Sequence, residues 1–144
     1  MVQSESALFA RILRDTRNVA VVGLSPNPTR PSYGVARFLQ SLGWRIVPVN
    51  PGHAGETILG ETAVASLADI PDPGAIDMID IFRRSDAAGA VVEEALATLP
   101  NLKTVWMQLG VTAPHAADLA RACGVDVVQD RCPAIEFPRL LAAR

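Results

Sequence analysis

Five short apolar runs rich in β-branched residues divide the chain: N-V-A-V-V-G at 18–23, W-R-I-V-P-V at 44–49, I-D-M-I-D-I-F at 76–82, T-V-W-M-Q-L-G at 104–110 and V-D-V-V at 125–128. Between them, segments at about 32–42, 86–98 and 115–123 place apolar side chains at helical spacing, as Val35, Phe38, Leu39 and Leu42 do. Strand and helix alternating at this interval imply right-handed βαβ crossovers, and these stack their strands into one parallel sheet. The runs are almost continuously apolar rather than alternating, so both faces of the sheet must be covered by helices. The expected fold class is α/β, in three layers around a central five-stranded parallel sheet. Further helices are expected at about 5–16 and 134–142, and Gly43 and Gly124 stand where helices end in the left-handed conformation. Residues 51–74, rich in Gly and Pro, read as one long connection with a short turn at 66–69.

Bulk properties narrow the function classes. A length of 144 residues corresponds to one domain, 1–144, large enough for a core without disulfides or structural metal. The net charge of −2 offers no general attraction to nucleic acid or to an anionic membrane surface, so any phosphate recognition must be local. The opening M-V-Q-S-E-S-A-L-F-A lacks a basic segment leading into an apolar run, and nothing approaches the ~18 apolar residues of a membrane span; a cytoplasmic location is expected. Cys123 and Cys132 are too far apart in sequence for a C-x-x-C site and read as free thiols. His53 and His115 have no acidic or thiol residue at ligand spacing, and no metal is expected.

A Rossmann-like sheet takes ligands outside the carboxyl ends of its strands, near the reversal of strand order. The residues standing there are Gly23 and Ser25 after the first run, Asn50 and Pro51 after the second, and Arg83 after the third. Gln108 and Gly110 follow the fourth, and Arg131 and Cys132 the fifth. The first loop, V-V-G-L-S-P-N-P-T-R-P-S-Y-G at 21–34, admits two readings. In one it is a phosphate cradle, with Gly23 admitting a ligand to the backbone, Ser25 donating, Arg30 supplying charge and Ser32 capping a helix whose N–H groups attract an anion. In the other it is an ordinary crossover with a capped helix and a surface arginine. Its three prolines stiffen a loop that otherwise has little reason to be rigid, which favours the cradle. An NAD site is disfavoured, because G-L-S-P-N-P lacks the later glycines of G-x-G-x-x-G and the second run ends in V-N-P rather than in an acidic residue.

Several pieces together carry a family resemblance: V-V-G-L-S at 21–25, R-P-S-Y at 30–33, G-W-R-I-V-P-V-N-P at 43–51, I-D-I-F-R at 79–83, V-W-M-Q-L-G at 105–110 and D-R-C-P-A-I-E at 130–136. In order and spacing they resemble the small single-domain coenzyme A-binding proteins, whose domain is similar to the N-terminal domain of the succinyl-CoA synthetase α subunit. The resemblance spans about residues 15–140. It implies that Gly23, Ser25, Arg30, Ser32 and Tyr33 surround the diphosphate, that Asn50 and Pro51 line the nucleotide side, that Phe82 and Arg83 lie near the middle of the ligand, and that Gln108 and Gly110 form the next wall. The implied ligand is coenzyme A or an acyl-CoA. Members of the family often carry a basic residue after the N-P pair; this chain reads P-G-H, which leaves Arg30 to meet more of the 3′-phosphate.

The other polar residues give no catalytic set. Asp77 and Asp80 are three apart on a strand and so point to opposite faces, and a buried Asp80 needs a partner that the sequence does not name. Arg83 and Arg84 point to opposite faces if their strand continues, which leaves one of them for a ligand. Phe82 reads as core or as a ring for the ligand, and Trp106 and Met107 as core. Cys132 precedes a helix and follows Arg131, and both neighbours lower a thiol's pKa. A thiol-exchange or acyl-transfer enzyme using Cys132 is therefore the alternative to non-covalent binding, and an NAD-dependent oxidoreductase a more distant one. The expectation is a binding module rather than an enzyme, with a small-molecule ligand and with room for a homodimer or a protein partner.

Overall fold

In the computed structural model, which describes residues 4–142, strands and helices alternate in the expected order. The strands are β1 (Asn18–Val22), β2 (Arg45–Val49), β3 (Thr57–Ile58), β4 (Glu61–Thr62), β5 (Met78–Ile81), β6 (Thr104–Met107) and β7 (Asp126–Val128). The helices are α1 (Glu5–Asp15), α2 (Pro31–Ser41), α3 (Ser85–Thr98), α4 (Pro114–Ala122) and α5 (Pro133–Ala142). Five strands form one parallel sheet in the order β2-β1-β5-β6-β7. The strand order therefore reverses between β1 and β5, where Val21 lies beside Asp80.

Alternate residues of each strand feed two apolar layers. Ala20, Val22, Ile79, Ile81, Val105 and Met107 pack under α3 and α4, whose contacting surfaces are built from small residues such as Ala88, Ala95, Ala117 and Ala120. Val19, Val21, Met78 and Trp106 face α1, α2 and α5. Trp106 is the centre of that layer: its ring lies 5.2 Å from Phe9 of α1 and 5.5 Å from Phe137 of α5, and its indole N–H donates to the Arg131 carbonyl at 2.8 Å. A buried indole thus satisfies its one donor while joining helices from both ends of the chain.

Residues 51–74 differ from the single connection expected of them. β3 and β4 form a small antiparallel hairpin whose turn residues Leu59 and Gly60 both have positive φ, the conformation that matches strand twist in two-residue hairpins. Beyond it Val64 bridges to Val49, its N–H donating to the Pro48 carbonyl at 3.0 Å and its carbonyl accepting from Asn50 N–H at 2.8 Å. Pro48, lacking an N–H, is tolerated because β2 is the edge strand, and this segment covers that edge. Arg45 fastens it further by ion pairs to Glu61 and Asp72. The expected turn at 66–69 is present as a 3-10 turn at Leu67–Asp69. Among the described residues no helix is long and apolar enough to cross a membrane.

Candidate functional site

The strand order reverses between β1 and β5, and the crevice that such a reversal makes in α/β sheets falls at the carboxyl edge, between the loop after β1 and the segment after β5. Gly23 sits at its apex with φ +91°, and a Cβ there would lie 2.4 Å from the Phe82 carbonyl oxygen. The close approach that demands glycine is thus made by the protein's own backbone just past the end of β5.

The following loop is held by its own polar groups. Ser25 N–H donates to Ser32 Oγ at 3.0 Å, and Asn27 N–H donates to Ser25 Oγ at 3.1 Å. Ser32 was expected as the helix cap and is not one. Proline, with its φ preset for a helix, takes the first position as Pro31, the cap position falls to Arg30, and the buried Ser32 hydroxyl turns back to brace the loop. The Tyr33 and Gly34 N–H groups donate to the Arg30 carbonyl, which leaves the Ser32 N–H of this helix start without a protein partner. Asn50 ties the end of β2 to the same loop, donating from Nδ2 to the Leu24 carbonyl at 3.1 Å while Oδ1 accepts from Gly52 N–H at 3.0 Å. Pro51 is exposed at the start of a 3-10 turn, and Tyr33 is half-buried on α2.

Next to this loop lies a cavity of about 510 Å³, lined by Pro31 and Val35 of α2, Phe82, Arg83 and Arg84 after β5, Gln108, Leu109 and Val111 after β6, and Cys132 after β7. Its wall is apolar apart from the two arginines and Gln108, and Leu109, 58% exposed, leaves a large aliphatic side chain open to solvent. The guanidinium groups of Arg30 and Arg83 make no hydrogen bond or ion pair among the described residues. Arg84 was expected to diverge from Arg83, yet both line the cavity; β5 ends at Ile81, so strand alternation no longer separates them.

Below the cavity, Asp80 is wholly buried and accepts from Gln108 Nε2 at 2.9 Å and 3.2 Å through its two oxygens. Burial drives its carboxyl up to about 7, with the Gln108 hydrogen bond opposing only part of that rise. Asp77, on the other end of the strand, accepts from the Arg17 and Asn18 N–H groups. The Cys132 thiol is also pushed up, chiefly by burial, with backbone hydrogen bonds from Ala134 and Ile135 opposing it. The lowering expected from Arg131 does not occur, because that side chain turns to Glu5 and the Asp130 carbonyl. Both cysteines are free.

Of the residues singled out in the sequence, the structure brings Phe82, Arg83 and Gln108 together in the cavity and Gly23, Ser25, Ser32 and Asn50 in the loop beside it. Gly110 stands between two cavity-lining neighbours, Leu109 and Val111, without lining the cavity itself: its φ is +81°, its N–H donates to Asp130 and its carbonyl accepts from Ser85 Oγ. Pro31, Val35, Arg84, Leu109 and Val111 were missed as cavity residues, although an apolar side chain such as Leu109 immediately beyond a strand is a legible sign of an open apolar wall.

Residues 17–138 match the family model described as a CoA binding domain. The uncharacterized protein YneT of Bacillus subtilis (strain 168) is 36% identical over 132 residues, 92% of this chain and 93% of that protein. The solved structure of cell-free ID.343 from Thermus thermophilus superposes with a TM-score of 0.85 at 35% identity, covering 95% of this chain and 99% of the other. A hypothetical protein from Pyrococcus horikoshii OT3 gives a TM-score of 0.85 at 31% identity, covering 98% and 99%. With the family model spanning nearly all of the described sheet and both groups of edge residues, the chain belongs to the CoA binding domain family.

Proposed function

We propose that this protein is a single domain that binds coenzyme A, free or acylated, non-covalently at the carboxyl edge of its sheet. The observation that carries this reading is the pairing of an apolar cavity with unpartnered cations at its rim: Phe82, Leu109, Val35 and Val111 beside Arg83, with Arg30 on the adjoining loop. A coenzyme with a diphosphate, a 3′-phosphate and a long pantetheine arm needs both anion donors and an extended apolar slot. The diphosphate lies against the Ser25–Ser32 loop and the start of α2, with the open Ser32 N–H and Arg30 as donors. The nucleotide lies toward Asn50 and Pro51, and the arm runs past Phe82 and Arg83 to Gln108.

A binding role without catalysis fits the polar groups present. The buried Cys132 thiol, held in its neutral form, is a poor nucleophile. An NAD site is disfavoured because the end of β2 offers Asn50, whose amide is already engaged on both sides, in place of a carboxylate for a ribose diol.

The test is thermal unfolding with coenzyme A, acetyl-coenzyme A, NAD and ATP, repeated for Arg30→Ala. A ligand at about 100 times its Kd stabilises the native state by about 2.7 kcal/mol, several degrees for a chain of this size. A shift with the coenzyme A ligands, absent with NAD and reduced in the variant, is expected. No shift with either coenzyme A ligand overturns the reading.

A further inference from the structure

The floor of the cavity contains an amide whose orientation depends on one proton. Gln108 Nε2 is committed to both oxygens of Asp80, while Oε1 of the same amide has no protein partner and is not sealed off, so it opens to the cavity that Gln108 lines. An ionised carboxylate can only accept, which fixes the amide with nitrogen inward and oxygen toward the cavity. A protonated carboxyl has a hydrogen to give, and the Gln108 amide oxygen can accept it once that group rotates. Turning Oε1 inward then leaves an Nε2 hydrogen for the cavity.

We propose that Asp80 and Gln108 form a proton-coupled selector for the sulfur end of the ligand, in which Gln108 presents an acceptor to a free thiol when Asp80 is ionised and a donor to a thioester carbonyl when Asp80 is protonated. The inference rests on the reading that the pantetheine arm enters this cavity. Asp80 acts through Gln108 and is a positioning residue. Its carboxyl, raised to about 7 by burial, exchanges its proton near neutrality, so both orientations are accessible there.

Other charged groups surround this face without bonding to the pair. Cys132, whose thiol feels the Asp80 charge, and Glu136, paired with Arg139, come from the α5 side; Tyr33, Arg30 and Arg37 come from α2 and its approach; Arg83 and Arg84 stand at the cavity wall. On α1, Glu5 meets Arg131 and Arg11 meets Asp126. His53 is engaged with Glu56 in the turn after β2, and His115 lies on α4 in the opposite layer. A profile that moves with Asp80 alone therefore has to be isolated by changing Asp80.

The experiment is calorimetric titration of the intact protein with coenzyme A, acetyl-coenzyme A and the S-methyl thioether between about pH 6 and pH 8, with free-thiol affinities referred to the protonated thiol, because about a quarter of an ordinary thiol is ionised at pH 8. The ratio of free-thiol to thioester affinity is expected to rise about fivefold across that range, the effect of exchanging one neutral hydrogen bond. The thioether, with neither S–H nor carbonyl, shows no such step. Asp80→Asn flattens the ratio, and Gln108→Met, which removes both ends of the amide, does the same if the first variant does not fold. A wild-type ratio independent of pH, with both ligands bound, overturns the selector and leaves the binding site standing; a ratio that still slopes in a folded variant also overturns it. No binding of any of the three at any pH overturns the selector and the binding reading together.

Discussion

Asp80 shows what one residue can cost a fold. Its carboxyl titrates at about 7 in the folded chain against 3.8 as an ordinary aspartate, so the native state holds the proton to higher pH than the unfolded state does. Stability from this group is therefore fully present below about pH 4, falls as pH rises toward 7, and is level above that, a loss on the order of 4 kcal/mol. Denaturant midpoints measured at pH 5 and pH 8 should drop in the wild type, and Asp80→Asn should remove most of the drop. Equal slopes in the two proteins would mean that the carboxyl is not the source. The sequence identified Asp80 as needing a partner but could not supply it, because Gln108 is 28 residues away, just past the end of β6, and meets it only through the β5–β6 register. Gly23 was legible as a special position for a related reason: the sequence marks glycine but not what approaches it, here the Phe82 carbonyl.

At the scale of elements, periodicity located every strand of the main sheet and all five helices, and it erred at their ends. The apolar run at 104–110 overshoots β6, which stops at Met107 because Gly110 takes a positive φ and the chain turns there. β3 and β4 are two residues each, too short for any period to register. Ser32 was misplaced because a serine near a helix start resembles a cap, whereas Pro31 had already fixed where the helix begins. One element whose docking shapes the cavity wall is α5. Phe137 anchors it between Trp44 and Trp106, and its N-terminal approach carries Cys132 into the cavity wall. Phe137→Ala should lower the unfolding free energy by about 3–5 kcal/mol in denaturant titration, and should weaken coenzyme A binding without touching a residue that lines the cavity. Unchanged stability would contradict the packing described.

Across the whole molecule, a net charge of −2 opposes the polyanionic ligand proposed for the edge of the sheet. Attraction must come from Arg30, Arg83 and Arg84, gathered at one edge, and it is screened as the Debye length shrinks from about 14 Å near 50 mM salt to about 6 Å near 300 mM. Coenzyme A affinity should fall at least severalfold over that range. Affinity insensitive to salt would mean that the arginines do not meet its phosphates. The sheet also sets a direction for the two chain ends. Glu5 at the start of α1 meets Arg131 just before α5, while Leu13 and Arg14 near the end of α1 share a groove with Leu140 and Leu141 near the end of α5. The two helices thus run side by side from the carboxyl edge of the sheet to the opposite pole. A fluorophore or surface tether placed at the exposed Leu141 stands about a helix length from Cys132 in the cavity wall, whereas one placed at Glu5 meets Arg131, the chain neighbour of Cys132; immobilised assays should hold this protein by α5.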